Sequence, residues 1–382
     1  MSHPIVIIGA GLAGYQLARE FRRLDHSTPL SLVTADEGAY YSKPLLSTAL
    51  TRGQTAETLP TATAENMAHE LNATMMTKTE VTAIDPHEKA ILIDGNHFFY
   101  SQLVLASGAE VIKPSLTGDA AKDVLSINHL YHYAEFRHLI KNKKHITILG
   151  AGLIGCEFAN DLSNAGYEVH LITPAEAPLD LLIPGKIGHL LQGALEQNGV
   201  HFHLSVTALS VQKGENKNYV VTLSDGEQLK TEFILSAIGL KPHTTLAKTA
   251  NIVVNRGIVV DRYLKTSVAD IYALGDCAEV EGHILPYITP LLNCSRALAK
   301  TLAGTPTRVT YPAMPIVVKT PAHPIAVCPP PKNCEGHWKI ETENHSVRAL
   351  FYDTSQTLRG FVLTHDAVKE RHALAKELPS FF

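Results

Sequence analysis

A short apolar run that breaks into three spaced glycines and then into a helical pattern occurs twice in this chain, and few folds accommodate that repeat. The first copy is Pro4-Ile5-Val6-Ile7-Ile8 followed by Gly9-Ala10-Gly11-Leu12-Ala13-Gly14. The second is Ile146-Thr147-Ile148-Leu149 followed by Gly150-Ala151-Gly152-Leu153-Ile154-Gly155. Strand, G-x-G-x-x-G and helix in that order form the turn that holds a dinucleotide pyrophosphate. The first glycine permits the tight turn, the second lets backbone approach the phosphates, and the third lets the helix close on the strand. Amides at the helix start then face the anion, helped by the helix dipole. One such turn could belong to any α/β protein, but two copies predict two dinucleotides.

With 382 residues the chain suits two or three domains. A formal charge of −4 supplies no electrostatic case for nucleic acid. No apolar stretch reaches the roughly 18 residues that span a bilayer, so membrane insertion is not expected. The N-terminal apolar run lacks a basic flank and carries Pro4, which reads as a cytoplasmic protein and not a signal peptide. The five cysteines, Cys156, Cys277, Cys294, Cys328 and Cys334, form no C-x-x-C pair and no zinc pattern. A reduced setting follows.

Residues 29–34 read as a second parallel strand ending at Val33 and Thr34, beside Ala35-Asp36-Glu37. An acidic side chain about 20 residues past the glycines accepts hydrogen bonds from an adenosine ribose, a role open to Asp36 or Glu37. Residues 50–75 have a polar, helical look, Val81 sits in a strand-like stretch, and Pro114 and Gly118 mark a linker. The basic stretch Lys141, Lys143 and Lys144 reads as a solvated face. Residues 167–173 form the strand that ends at the second ribose. No acidic residue stands there before Glu176, and no Arg or Lys is placed for a 2′-phosphate, so NADH is preferred to NADPH. His201 and His203 alternate on a strand and read as surface residues, without a third metal ligand.

Several segments together resemble the pyridine nucleotide-disulfide oxidoreductase superfamily, in particular its ferredoxin-reductase-like members. Ser42-Lys43-Pro44-Leu45-Leu46-Ser47-Thr48 is similar to the R-P-x-L-S-K motif. Leu103 to Ala109, including Ala106 and Gly108, resembles the A-T/S-G segment, and Phe233 to Pro242, including Gly239, the A-x-G-x-x-P segment. Ile271 to Ala278 matches the second FAD fingerprint, with Gly275 and Asp276. The resemblance implies two Rossmann-like dinucleotide-binding domains, for FAD and NADH, plus a small C-terminal α+β domain. The expected boundaries are 1–114 with 246–314 for FAD, 115–245 for NADH, and 315–382 for the C-terminal domain.

The same resemblance implies site residues. Ser42 and Lys43 fall at the FAD pyrophosphate, Asp276 at the ribityl chain, and Val81, Ala106, Gly108 and Gly239 along the cofactors. Glu157 falls at the start of the nicotinamide-side helix. Thr48 replaces the lysine that usually partners this glutamate, which leaves Lys43 or Lys319 for the task. No cysteine precedes Cys156, so thiol chemistry at the flavin is disfavoured. Lys319-Thr320-Pro321 resembles a K-T-P element of the rubredoxin-reducing members. The implied acceptor is rubredoxin, an acidic one-iron protein, with an alkane hydroxylase served indirectly. A flavorubredoxin or a [2Fe-2S] ferredoxin is the alternative acceptor.

Overall fold

Ile5–Ile8 is buried along its whole length and pairs in parallel with Leu30–Val33 on one side and Gln102–Leu105 on the other. An aliphatic run without polar alternation suits a central strand covered on both faces. Ile271–Ala273 and Thr74–Met76 complete a five-stranded parallel sheet. The computed structural model describes residues 3–381. Around the second glycine repeat, His145–Leu149 lies between Glu168–Ile172 and Phe233–Ser236, with Val200–His203 at the edge, again all parallel.

The chain leaves the first sheet and returns to it through one antiparallel ribbon, Ala109–Val111 against Leu240–Pro242. A five-stranded antiparallel sheet follows, in the order Ile316–Val318, Ile325–Cys328, Leu358–Thr364, Ser346–Asp353, Gly336–Glu343. One apolar set on it, Phe361 and Leu363, packs under Leu374 of helix Arg371–Glu377. Another, Val318, Ile325, Val327 and Val362, joins Phe158 of the second glycine-turn helix together with Leu46 and Ala49. The three parts of the chain therefore share a core where they meet, and the site lies there.

Three local expectations differ. Only Ala64–Leu71 of residues 50–75 is helical, closed by Asn72 in the left-handed region. Val81 is not in a strand. Its neighbours Thr79 and Thr82 donate to Thr34 and Leu92, so this stretch crosses from one sheet to another. The C-terminal helix, expected over about 367–377 after five strands between 315 and 364, begins at Arg371 because His365–Glu370 winds as a 3-10 turn.

A Cβ on Gly14 would collide with the Gly9 carbonyl, whereas one on Gly193, inside helix Gly185–Glu196, would meet nothing within 4 Å. Gly14→Ala is expected to lose flavin absorbance on purification and to lower stability by about 1–3 kcal/mol through overpacking. Gly193→Ala should raise stability by about 0.5–1 kcal/mol, read as an increase in Tm with unchanged flavin content.

Candidate active site

The two glycine turns are built alike. Gly9 has φ +113° and Gly150 φ +102°, conformations that L side chains rarely adopt, and each presses on a carbonyl of the neighbouring segment, Ala106 and Ala237 respectively. Gly14 and Gly155 both sit against the carbonyl of the first glycine of their own turn. Gly11 and Gly152, the N-caps of helices Leu12–Arg22 and Leu153–Asn164, face open space, and neither helix has a side-chain cap or an acidic residue in its first turn. Their leading amides are thus free to receive a phosphate oxygen, and a pyrophosphate fits both cradles.

Beyond the first turn, Gly9 N–H donates to Val33 O, and Thr34 Oγ1 donates to Asp36 Oδ1 at 2.8 Å. Asp36 also accepts from Gly38 N–H at 2.9 Å, while Glu37 turns outward to exposed Lys78. Asp36 is therefore the acidic residue fastened at the end of this strand. Gly275, at φ +78°, lies against Ala13 at the start of the first helix and delivers Asp276 beside that turn. Burial pushes the Asp276 carboxyl up and the Lys43 ammonium down, and each charge pulls the other back towards its ionised form, with Asp36 helping Lys43. Lys43 Nζ donates to Asn128 Oδ1 at 3.3 Å. Ala106 is buried beside Gly9, Gly108 turns with φ +68°, and Gly239 bonds Ile112 across the ribbon.

The second constellation is centred on Glu157, which is fully buried. Its carboxylate accepts from Ser47 Oγ, from Lys319 N–H at 3.0 Å, and from Lys319 Nζ in an ion pair. Lys43 is not its partner, and Thr48 Oγ1 bonds back to Leu45 O. The missing lysine of the 43–48 motif is thus replaced from beside the C-terminal sheet, by a cation 162 positions after Glu157. One helical turn further on, Asp161 accepts from Leu50 N–H, Thr51 N–H and Thr51 Oγ1, and Asn160 Oδ1 accepts from Ala322 N–H at 3.1 Å. Neither Ser47 nor this Asn-Asp pair was singled out from sequence. Their spacing, three and four residues after Glu157, is the signal that places them on one helix face.

Burial raises the thiols of Cys156 and Cys277 and pushes Cys294 and Cys328 up to about 11, so none of these four is an activated thiolate. His203 is not simply a surface residue. It bonds His170 at 2.9 Å and Glu227 at 3.2 Å, while His201 stacks on His170. Among the described residues no group of three or more His, Cys, Asp or Glu is arranged to hold a metal, and no helix is long and apolar enough to cross a membrane.

Two pyrophosphate cradles, with a buried carboxylate and a half-buried ammonium where their units meet, define a dinucleotide-dependent flavoprotein oxidoreductase. The chain belongs to the pyridine nucleotide-disulphide oxidoreductase family, which it matches over residues 3–298, and residues 308–378 match the rubredoxin binding C-terminal domain. It is 50% identical over 378 residues to the rubredoxin-NAD(+) reductase of Alcanivorax borkumensis, covering 99% of each chain. It is 44% identical over 385 residues to the rubredoxin-NAD(+) reductase of Acinetobacter baylyi, covering 99% of this chain and 98% of that one. A ferredoxin reductase from Rhodopseudomonas palustris shares the fold, with TM-score 0.89, 24% identity, and coverage of 99% and 95%.

Removing the cation from a buried pair leaves the other charge uncompensated. Lys319→Met is therefore expected to destabilise by about 3–5 kcal/mol, and Lys319→Met with Glu157→Gln by clearly less than the sum of the singles, in a denaturation double-mutant cycle. His323, in the turn after Lys319, is pushed down from 6.5 to about 4 by burial and by His365. Its neutral form is favoured by folding, so the associated stability is present above pH 6.5 and is lost as pH falls towards 4. Tm should drop over that window, and His323→Gln should flatten the drop.

Proposed function

We propose that this chain carries electrons from NADH to rubredoxin, with FAD resident at the first glycine turn and NADH bound at the second. The observation that carries this reading is Lys319. The rubredoxin-binding part of the chain supplies the cation that pairs with Glu157 at the head of the second glycine-turn helix. The acceptor-binding part therefore reaches the place where the two nucleotide units meet. The division 1–114 with 246–314, 115–245 and 315–382 is supported by the ribbon Ala109–Val111 with Leu240–Pro242, and by the return of Ile271–Ala273 to the first sheet.

Bound FAD supplies the conversion between a two-electron hydride and the single electrons that a one-iron protein accepts. The chain's own residues hold and tune. Gly9, Ala10, Gly11, Leu12 and Gly14, with Lys43 and Ser42, hold the FAD pyrophosphate. Asp36, at the end of Val33 and Thr34, takes the ribose, and Asp276 takes the hydroxyls of the ribityl chain. Val81, Ala106 and Gly108 line the same unit. Gly150, Gly152, Leu153, Ile154 and Gly155 hold the NADH pyrophosphate, with Gly239 at the exit.

Glu157 keeps the half-buried Lys319 ammonium in a place where positive charge stabilises the negative charge that arrives with electrons. Hydride transfer requires no protein acid or base, and the chain offers no activated thiol there. Thr173 Oγ1 accepts from Ala175 N–H in a turn without Arg or Lys, which supports NADH as the donor. We place the reductase in the cytoplasm, upstream of an alkane hydroxylase, on the family resemblance.

The test is stopped-flow absorbance of NADH-reduced enzyme mixed with rubredoxin, flavorubredoxin, [2Fe-2S] ferredoxin or air. Rubredoxin should be reduced fastest, in a salt-sensitive reaction, because it is an acidic partner. A faster reaction with any of the others overturns the acceptor assignment and leaves the fold and cofactors standing. Glu157→Gln should slow flavin reduction by NADH about 100–1,000-fold, the range for losing one preorganised electrostatic contact. Unchanged bleaching would remove Glu157 from the mechanism.

A further inference from the structure

We propose that Asn160 is a positioning residue for electron delivery, holding the Lys319–Pro324 turn of the C-terminal unit to the helix that receives NADH. This deepens the rubredoxin reading above and rests on it. Asn160 is 1% exposed and lies in the helix capped by Gly152, about 10 Å along its axis from the glycine turn. Its Oδ1 accepts from Ala322 N–H at 3.1 Å. Its Nδ2 is buried without a protein partner. A buried amide that satisfies only one of its two ends is a poor way to fill a core, where an apolar residue leaves nothing unpaired. What the amide provides here is the one acceptor that meets Ala322.

The turn it holds is a stiff bracket. His323 N–H donates to Thr320 O at 2.9 Å, and Thr320 Oγ1 donates to His323 O at 2.8 Å. His323 Nδ1 meets His365 Nε2 at 3.0 Å, and His365 N–H donates to Pro324 O. Its far side is thereby tied into the C-terminal unit. Its near side is tied to the helix at two points, Lys319 to Glu157 and Ala322 to Asn160. Two anchors fix an orientation where one leaves a swivel. Glu157 alone would hold the charge, and Asn160 sets the angle at which the rubredoxin-binding unit stands over the redox site.

The experiment compares FAD-loaded wild type with FAD-loaded Asn160→Ala. Three readouts are taken: NADH turnover with ferricyanide, kcat and KM with rubredoxin, and amide hydrogen exchange in a peptide covering residues 319–324. That segment has exchangeable amides only at Lys319, Thr320, Ala322 and His323, because Pro321 and Pro324 have none. Asn160→Ala is expected to keep ferricyanide turnover within about twofold, to lose about tenfold or more in kcat/KM for rubredoxin, and to speed exchange at 319–324.

Equal losses with both acceptors, or unchanged exchange, would overturn the positioning role. If wild type fails to reduce rubredoxin, the acceptor reading fails, and the exchange comparison still decides whether Asn160 holds the turn. Should Asn160→Ala not fold, exchange of the wild-type Ala322 amide at the rate of an unstructured chain would be enough to reject the proposal.

Discussion

A carboxylate with no access to water, Glu157, is the constraint around which the rest is arranged. Desolvating such a charge is costly, and the cost is offset only by donors at close range. Those donors come from two distant stretches, Ser47 from within the first nucleotide unit and Lys319 from the turn after the first strand of the C-terminal sheet. A buried ion pair of this kind contributes less to stability than to uniqueness of arrangement, since any slippage of the three parts strands a charge. The same helix then repeats the device with Asp161, which takes three donors from Leu50 and Thr51. Apolar contact between Phe158, Leu46 and Val318 supplies the attraction, and the polar face supplies the register.

Around that junction the two nucleotide units solve one problem twice. In each, a left-handed glycine passes against a carbonyl of the adjacent segment, and an uncapped helix start is left for an anion. They differ in what surrounds the turn. The first is faced by Lys43, Asp276 and Asp36; burial pushes Lys43 down and Asp276 up, and the opposite charges beside them work against that push. The second hands its helix to the domain junction. Charge tuning in one unit and mechanical linkage in the other suit a resident cofactor and a visiting one.

The glycine turns were legible because they are local. Every contact that demands a glycine in them lies within the turn itself or one strand away, so spacing alone carries the information. The aliphatic strands and the C-terminal sheet were legible for the same reason. Val81 was not, since a valine beside Thr82 and near Thr79 has strand character in isolation. Only the pull of Thr79 and Thr82 towards different sheets makes it a crossing. His203 looked like a surface residue because a two-residue alternation says nothing about a neighbouring strand that brings His170 to 2.9 Å.

Thr48 marks the limit most clearly. A threonine where a lysine was expected left Glu157 with two candidate partners, Lys43 and Lys319, and no local pattern could choose between them. Two pyrophosphate cradles, the strands that carry them and the want of a cysteine ahead of the second one are readable from residue order, because backbone geometry and residue chemistry settle these over a few positions. That Lys319 faces Glu157, that Lys43 faces Asp276, and that Asn160 and Asp161 clamp the same junction follows from the packed fold alone. Those pairings span 110 to 233 positions and are chosen by which packed faces bury together, a property of the whole core and not of any segment.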